Sequence, residues 1–220
     1  MSERRAESTR EPDAPAGRGL FVTFEGGDGS GKTTQVDLLK QWLEARGHSV
    51  RTTREPGGTE LGRQIRQLLL HGGDVAPRAE ALLYAADRAH HVATLIRPAL
   101  ERGEVVIADR YIDSSIAYQG AARSLGKDEI RELSLWATGG LMPDVTVLLD
   151  LPVGEAGARL GASQDRIESA GQAFHEAVRR EYLELARLDP GRWLVVDARA
   201  GAQEIAGRVR EFVGHRLGRR

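Results

Sequence analysis

The chain has 220 residues, enough to bury one sizeable core and few for two. Its 31 Lys and Arg against 32 Asp and Glu leave a net charge of −1, so no general attraction to nucleic acid or to an anionic membrane is expected. It has no cysteine, which excludes disulfides, thiolate nucleophiles and cysteine-type zinc sites and accords with a reducing cytoplasm, the expected location.

Residues 1–18 mix Arg, Glu, Ser, Pro and Gly without an apolar stretch, and are expected to form a disordered tail rather than a signal or transit peptide. No apolar run reaches the roughly 18 residues of a membrane helix. From Leu20 to Phe24 a buried strand is predicted, then a glycine-rich loop, then a helix from about Thr33 with Val36, Leu39 and Leu43 on one face, ending near Gly47. Val50 to Thr53 reads as a second strand. Leu61, Ile65, Leu68 and Leu69 stripe a helix. A long helix is predicted from Pro77 to about Ile96, stopping before Pro98. Val105 to Ala108 forms a third strand ending at Asp109, and a helix around Ile130 to Trp136 stops at Gly139-Gly140. Val145 to Leu149 is a fourth strand, Phe174, Val178 and Tyr182 mark a helix, Trp193 to Val196 is a fifth strand, and Ile205 to Phe212 lies in a last helix. The basic end, His215 to Arg220, reads as a frayed, solvated terminus.

The strands are continuous apolar runs, as a sheet covered on both faces requires. Strand and helix alternate throughout. The predicted architecture is therefore α/β: a single doubly wound domain, residues 19–217, with a five-stranded parallel sheet flanked by helices. Ligands of such sheets bind at the carboxyl ends of the strands.

The motifs fall at those ends. Gly26-Gly27-Asp28-Gly29-Ser30-Gly31-Lys32-Thr33 matches G-x-x-x-x-G-K-[ST] between a strand and a helix. Its glycines let successive N–H groups face phosphates, Lys32 would reach the β/γ-phosphates, and the Thr33 hydroxyl would ligate Mg²⁺. Asp28 is either a solvated spacer or a carboxylate that serves an acceptor hydroxyl or metal. Asp109-Arg110-Tyr111 ends the third strand; the Asp can hold Mg²⁺ through water or orient an acceptor, and the Arg has the fork that grips phosphate. Tyr84 and Arg88 share a helix face and could stack a base and grip a phosphate, although alone they read first as core packing and a solvated charge. The six histidines make no metal pattern, and no role is assigned to them.

Taken together, Phe24-Glu25-Gly26-Gly27-Asp28-Gly29-Ser30-Gly31-Lys32-Thr33-Thr34, then Thr53-Arg54-Glu55-Pro56-Gly57-Gly58-Thr59, Tyr84-Ala85-Ala86-Asp87-Arg88, Asp109-Arg110-Tyr111, Ala117-Tyr118-Gln119-Gly120 and Asp165-Arg166-Ile167-Glu168 resemble the bacterial thymidylate kinases, P-loop nucleoside monophosphate kinases, over about Leu20 to Leu217. The resemblance implies phosphorylation of dTMP to dTDP with ATP–Mg²⁺, in dTTP biosynthesis, by a protein that is commonly a homodimer. It implies ATP contacts from the loop Gly26 to Thr34, from Arg159, and from Asp197 and Ala198 around the adenine. It implies acceptor contacts from Glu25, Asp28, Arg54, Pro56, Tyr84, Arg88, Arg110, Ser115, Tyr118 and Gln119, with Tyr84 stacked on thymine and Tyr118 beneath the sugar. Asp109 would organise Mg²⁺ and its waters. The loop lacks the arginine that some members place there, so the short lid, about 160–167, must supply it; Arg166 is expected on the phosphates and Arg159 near the adenine.

Two rivals are set aside on residues. A GTPase switch would carry Asp-x-x-Gly after the third strand and a guanine-reading Asn; Ile112 stands where that glycine would be, and the chain contains no Asn. A degenerate binding module would be expected to lose Lys32 or Asp109, and both are present. A kinase of another nucleotide, such as dUMP or GMP, is separated by comparing acceptors.

Overall fold

Each predicted strand is present and parallel to its neighbours in the computed structural model, which describes residues 18–155 and 166–218. The strands are β1 (Phe21–Glu25), β2 (Val50–Arg54), β3 (Val105–Asp109), β4 (Val145–Asp150) and β5 (Trp193–Asp197), side by side in the order β2-β3-β1-β4-β5. The helices are α1 (Lys32–Glu44), α2 (Glu60–His71), α3 (Pro77–His91), α4 (Arg97–Glu101), α5 (Ile112–Ser115), α6 (Lys127–Thr138), α7 (Gln172–Leu188) and α8 (Ala202–Leu217).

Alternation along β1 divides the core. Phe21 packs with Leu69, Ile96, Tyr111 and Tyr182 on one face of the sheet. Val22 and Phe24 pack with Val36 and Leu39 of α1 and Val209 and Val213 of α8 on the other. Burial of both faces is why the strands read as unbroken apolar runs.

Three expectations differ from the structure. The long helix does not stop before Pro98: α3 passes through a wide π segment, Val92–Ile96, into α4, where Pro98 occupies the first helical turn. Proline lacks only an N–H that a first turn leaves unpaired, so the chain stays helical. The stretch Ile112–Ala122, for which no element was predicted, is helical, α5 followed by a second π segment, Ile116–Ala122. The basic end is not frayed as far as it is described: α8 runs to Leu217, with Arg216 donating to the Gly191 carbonyl and lying over Phe212. Of the predicted tail, Arg18 is described and pairs with Asp144 at 3.3 Å; of the predicted lid, residues 160–165 lie outside the described residues. Among the described residues no helix is long and apolar enough to cross a membrane.

Strand register positions the site. Asp109 stands opposite Phe24 on one side and Arg54 on the other, so the ends of β1, β2 and β3 bring Glu25, Arg54 and Asp109 together, beneath the loop that leads into α1.

Candidate active site

The loop between β1 and α1 needs its glycines for a stated reason at Gly26. It has φ 136°, and a Cβ there would come 2.6 Å from the Leu149 carbonyl oxygen. Lys32 folds back over the loop, its Nζ donating to the carbonyls of Gly26 (3.1 Å) and Gly27 (2.9 Å) and standing 4.0 Å from Asp28. Burial and the nearby Arg110 lower its pKa. The open side of the loop is a cavity of about 430 Å³ walled by Lys32, Thr33, Arg54, Arg66, Asp109 and Arg110 among others. Four cations around one hollow lined by loop amides suit a polyphosphate.

Arg110 is the hinge of the charge arrangement. Its backbone is left-handed, φ 72°, and its N–H donates to the Phe24 carbonyl at 2.9 Å. The guanidinium lies 2.6 Å from Asp28 Oδ1, 3.3 Å from the Tyr182 hydroxyl, and over the Tyr118 ring. Burial alone would raise the Asp28 carboxyl, but Arg110 and Lys32 outweigh it and hold it down at about 2. Behind Arg110 sits Glu25, wholly buried. It accepts from the Tyr111 N–H (2.9 Å), the Ser114 hydroxyl (2.6 Å) and the Tyr182 hydroxyl (2.9 Å). Burial, with Asp113 nearby, pushes its carboxyl up to about 7 despite those donors.

The residues present fit a divalent cation. Asp109 Oδ1 is buried without a hydrogen-bond partner, and Thr33 lines the same hollow. A buried carboxylate oxygen with no donor suits a cation. No cluster of three or more His, Cys, Asp or Glu side chains that could hold a metal exists among the described residues.

A second, more enclosed cavity opens on the other side of the Asp28–Arg110 pair. Pro56, Tyr84, Arg88, Ser115, Tyr118 and Gln119 line it, together with Asp28 and Arg110. Arg88 is not a solvated charge but a buried one, 2% exposed. Its Nε donates to Glu55 (2.7 Å), Nη1 to Ser134 (3.2 Å), and Nη2 to the Tyr111 carbonyl (3.2 Å) and Ser115 (3.0 Å). The other oxygen of Glu55 accepts from His91 Nδ1 at 2.9 Å, while His91 Nε2 lies 2.6 Å from the Thr53 hydroxyl. The histidine given no role from sequence thus holds the loop after β2. Gln119, also buried, donates its Nε2 to Glu80 at 2.9 Å.

Comparison with known proteins then decides the family. Residues 24–209 match the family described as thymidylate kinase. A thymidylate kinase of Leifsonia xyli subsp. xyli is 61% identical over 196 residues, covering 87% of this chain and 93% of the relative. One of Bifidobacterium longum is 58% identical over 192 residues (85% and 93%), and one of Desulforudis audaxviator 50% over 206 (90% and 93%). The chain belongs to the thymidylate kinase family.

Not every position that the family resemblance singled out gathers at the two cavities. Glu25 lies behind Arg110 rather than at a cavity wall, and Arg54 lines the hollow beside the P-loop rather than the second cavity. Arg166 is not brought to the phosphate loop. Its Nη2 lies 2.5 Å from Glu80 and its Nε 2.9 Å from the Leu69 carbonyl, because a buried carboxylate requires a cation close by. Arg159 lies outside the described residues. Asp197 and Ala198 stand at the end of β5: Ala198 is buried and donates to the Asp150 carbonyl, while exposed Asp197 is held down at about 2 by its hydrogen bonds from Arg199. Thr34 is exposed in the first turn of α1. Arg66 was missed. It lines both cavities and donates to the Pro56 carbonyl at 3.1 Å. Its place in an amphipathic stripe, next to core Ile65, gives it the pattern of a solvent-facing charge.

Proposed function

We propose that this chain transfers the γ-phosphoryl group of ATP to dTMP, giving ADP and dTDP for dTTP synthesis, in the cytoplasm where both nucleotides are available. One observation carries the reading: a single charged wall, Asp28 with Arg110, separates the hollow at the P-loop from a second cavity lined by Tyr84, Arg88, Tyr118 and Gln119. Two phosphorylated ligands would meet across that wall. An oxygen of the acceptor's 5′-phosphate attacks the γ-phosphorus; a new P–O bond forms, the bond to the β–γ bridging oxygen breaks, and ADP leaves with the electron pair. The acceptor needs no general base, because its second pKa is about 6 and it is anionic at neutral pH.

The roles assigned to side chains belong to this proposal. Lys32 and the loop amides bind the β- and γ-phosphates. Arg110 and Arg66 reach toward the transferred group and the acceptor phosphate, and Asp28 keeps Arg110 turned toward the wall. Mg²⁺, held by Thr33 and Asp109, would neutralise charge on the ATP phosphates. Tyr84, Arg88, Ser115, Tyr118 and Gln119 receive the base and sugar. A homodimer is also proposed: Leu68 on α2, Leu82 on α3 and Trp136 on α6, in adjoining helices, are 56%, 58% and 82% exposed, the kind of apolar surface that a partner covers.

The test is ADP release from ATP–Mg²⁺ by the purified protein with dTMP, dUMP, dCMP, GMP or AMP in parallel. Stimulation chiefly by dTMP is expected. Equal or greater stimulation by a purine nucleotide, or by none, overturns the assignment.

A further inference from the structure

Behind Gln119, which lines the cavity with Tyr84 and Arg88, lies a buried carboxylate. Glu80, on α3, is fully buried. Its Oε1 lies 2.9 Å from Gln119 Nε2 and 3.4 Å from Arg123 Nε; its Oε2 lies 2.5 Å from Arg166 Nη2 and 3.5 Å from Arg123 Nη2. A carboxylate faced by two guanidinium groups only accepts hydrogen bonds. The end of the Gln119 amide beside it must therefore be the NH₂ end, whichever way an isolated amide might be turned. The carbonyl oxygen is then the end left for the cavity that Gln119 lines.

We propose that Glu80 is a positioning residue that fixes the hydrogen-bonding polarity of the base pocket, by holding the Gln119 amide with its acceptor toward the bound nucleotide. The inference rests on the acceptor assignment above and deepens it. Arg88 lines the same cavity and can only donate. An acceptor beside donors matches the edge of a 2,4-dioxopyrimidine, with its N3–H and O4. It mismatches cytosine at both atoms, since cytosine offers an N3 acceptor and a 4-amino donor. Without Glu80 the amide is able to turn over and present its NH₂ to a cytosine N3, so discrimination falls.

The readout is a ratio, which a general loss of stability would not move. Wild-type protein and Glu80→Gln are assayed with dTMP, dUMP and dCMP. The dTMP:dCMP ratio of kcat/KM is expected to fall about tenfold or more in the variant, while dTMP:dUMP, whose bases share the same edge, stays within about twofold. Placed on top of Gln119→Leu, Glu80→Gln is expected to change the dTMP:dCMP ratio no further. An unchanged ratio in the single variant, an equal change for dUMP, or a further fall in the double variant overturns the proposal. Because Glu80→Gln leaves two arginines without their carboxylate and can fail to fold, the unsubstituted protein supplies an independent measurement. With ¹⁵N-labelled glutamine, the Gln119 NH₂ protons, assigned by the loss of their signals in Gln119→Leu, are expected to exchange slowly with solvent, as donors buried against a carboxylate do. Exchange as fast as that of an exposed glutamine amide refutes the positioning role. Failure of the wild type to phosphorylate any pyrimidine nucleotide would sink the acceptor assignment instead and leave the NMR result standing.

Discussion

Replacing Glu25 by Gln isolates one buried proton. The folded protein keeps the Glu25 carboxyl protonated up to about 7, because burial outweighs the donors around it, whereas the ordinary value is 4.5. Between these values the folded state binds more protons than the unfolded chain. The stability from this group is therefore complete below pH 4.5 and is lost as pH rises toward 7. At about 1.4 kcal/mol per unit, the loss is about 3 kcal/mol. Glu25→Gln keeps the shape and one acceptor oxygen but cannot titrate. Equilibrium urea unfolding of both proteins from pH 4.5 to 8 gives the stability difference between them, and wild type minus variant should decline by about 3 kcal/mol, mostly between pH 5 and 7. Asp87, raised to about 6 by burial and by Glu55, slopes both curves alike and cancels in the difference. Parallel curves would refute the claim that Glu25 is held protonated by its surroundings.

Four further outcomes follow from the geometry. Lys32→Ala, which removes the ammonium that bridges Gly26 and Gly27, should lower kcat/KM for ATP about 100-fold in the ADP-release assay; a change below threefold would remove Lys32 from phosphate binding. Arg66→Ala should raise the KM for dTMP or lower kcat by about tenfold, and unaltered kinetics would show that lining both cavities is incidental. Arg88→Lys cannot reproduce the four hydrogen bonds of a buried guanidinium and should cost about 3 kcal/mol in urea unfolding; a loss under about 0.5 kcal/mol would mean the Glu55 pair is dispensable. Trp136→Glu combined with Leu82→Glu should shift a dimer to monomer in sedimentation at micromolar concentration, whereas a wild-type monomer would refute the interface.

The sheet and the phosphate loop were legible in the sequence because each depends on a local pattern. A strand buried on both faces must be apolar at every position, and a phosphate loop must be glycine-rich where its backbone bends. Pro98 misled because a proline stops a helix only when its missing N–H is needed, and the π segment before it removes the need. Arg88 read as surface charge because its four partners come from Glu55, Tyr111, Ser115 and Ser134, positions that no local spacing connects. Glu80 and His91 were hidden for the same reason: a buried charge is recognised by its partners, and partners distant in the chain are visible only in three dimensions. Arg166 is the more instructive case. Its place at the end of the predicted lid suggested the phosphates, and nothing in the local sequence showed that Glu80 lay close enough to pair with it.

The arrangement around Arg110 links stability to function. A left-handed backbone at a side chain of this size costs about 1–2 kcal/mol, so the surroundings must impose it. They do so from both flanks: the Arg110 N–H is taken by the Phe24 carbonyl, and the next N–H, that of Tyr111, is taken by Glu25. The same Glu25 accepts from the Ser114 and Tyr182 hydroxyls, which stand 3.4 and 3.3 Å from the Arg110 guanidinium. One buried carboxylate therefore anchors the backbone turn and positions the oxygens that face the guanidinium. An apolar residue in place of Glu25 would remove the desolvation penalty and with it the acceptor that anchors the Tyr111 N–H and the Ser114 and Tyr182 hydroxyls beside Arg110. The pH-dependent weakness of the fold at neutral pH is, on this reasoning, the counterpart of having a guanidinium fixed between two cavities.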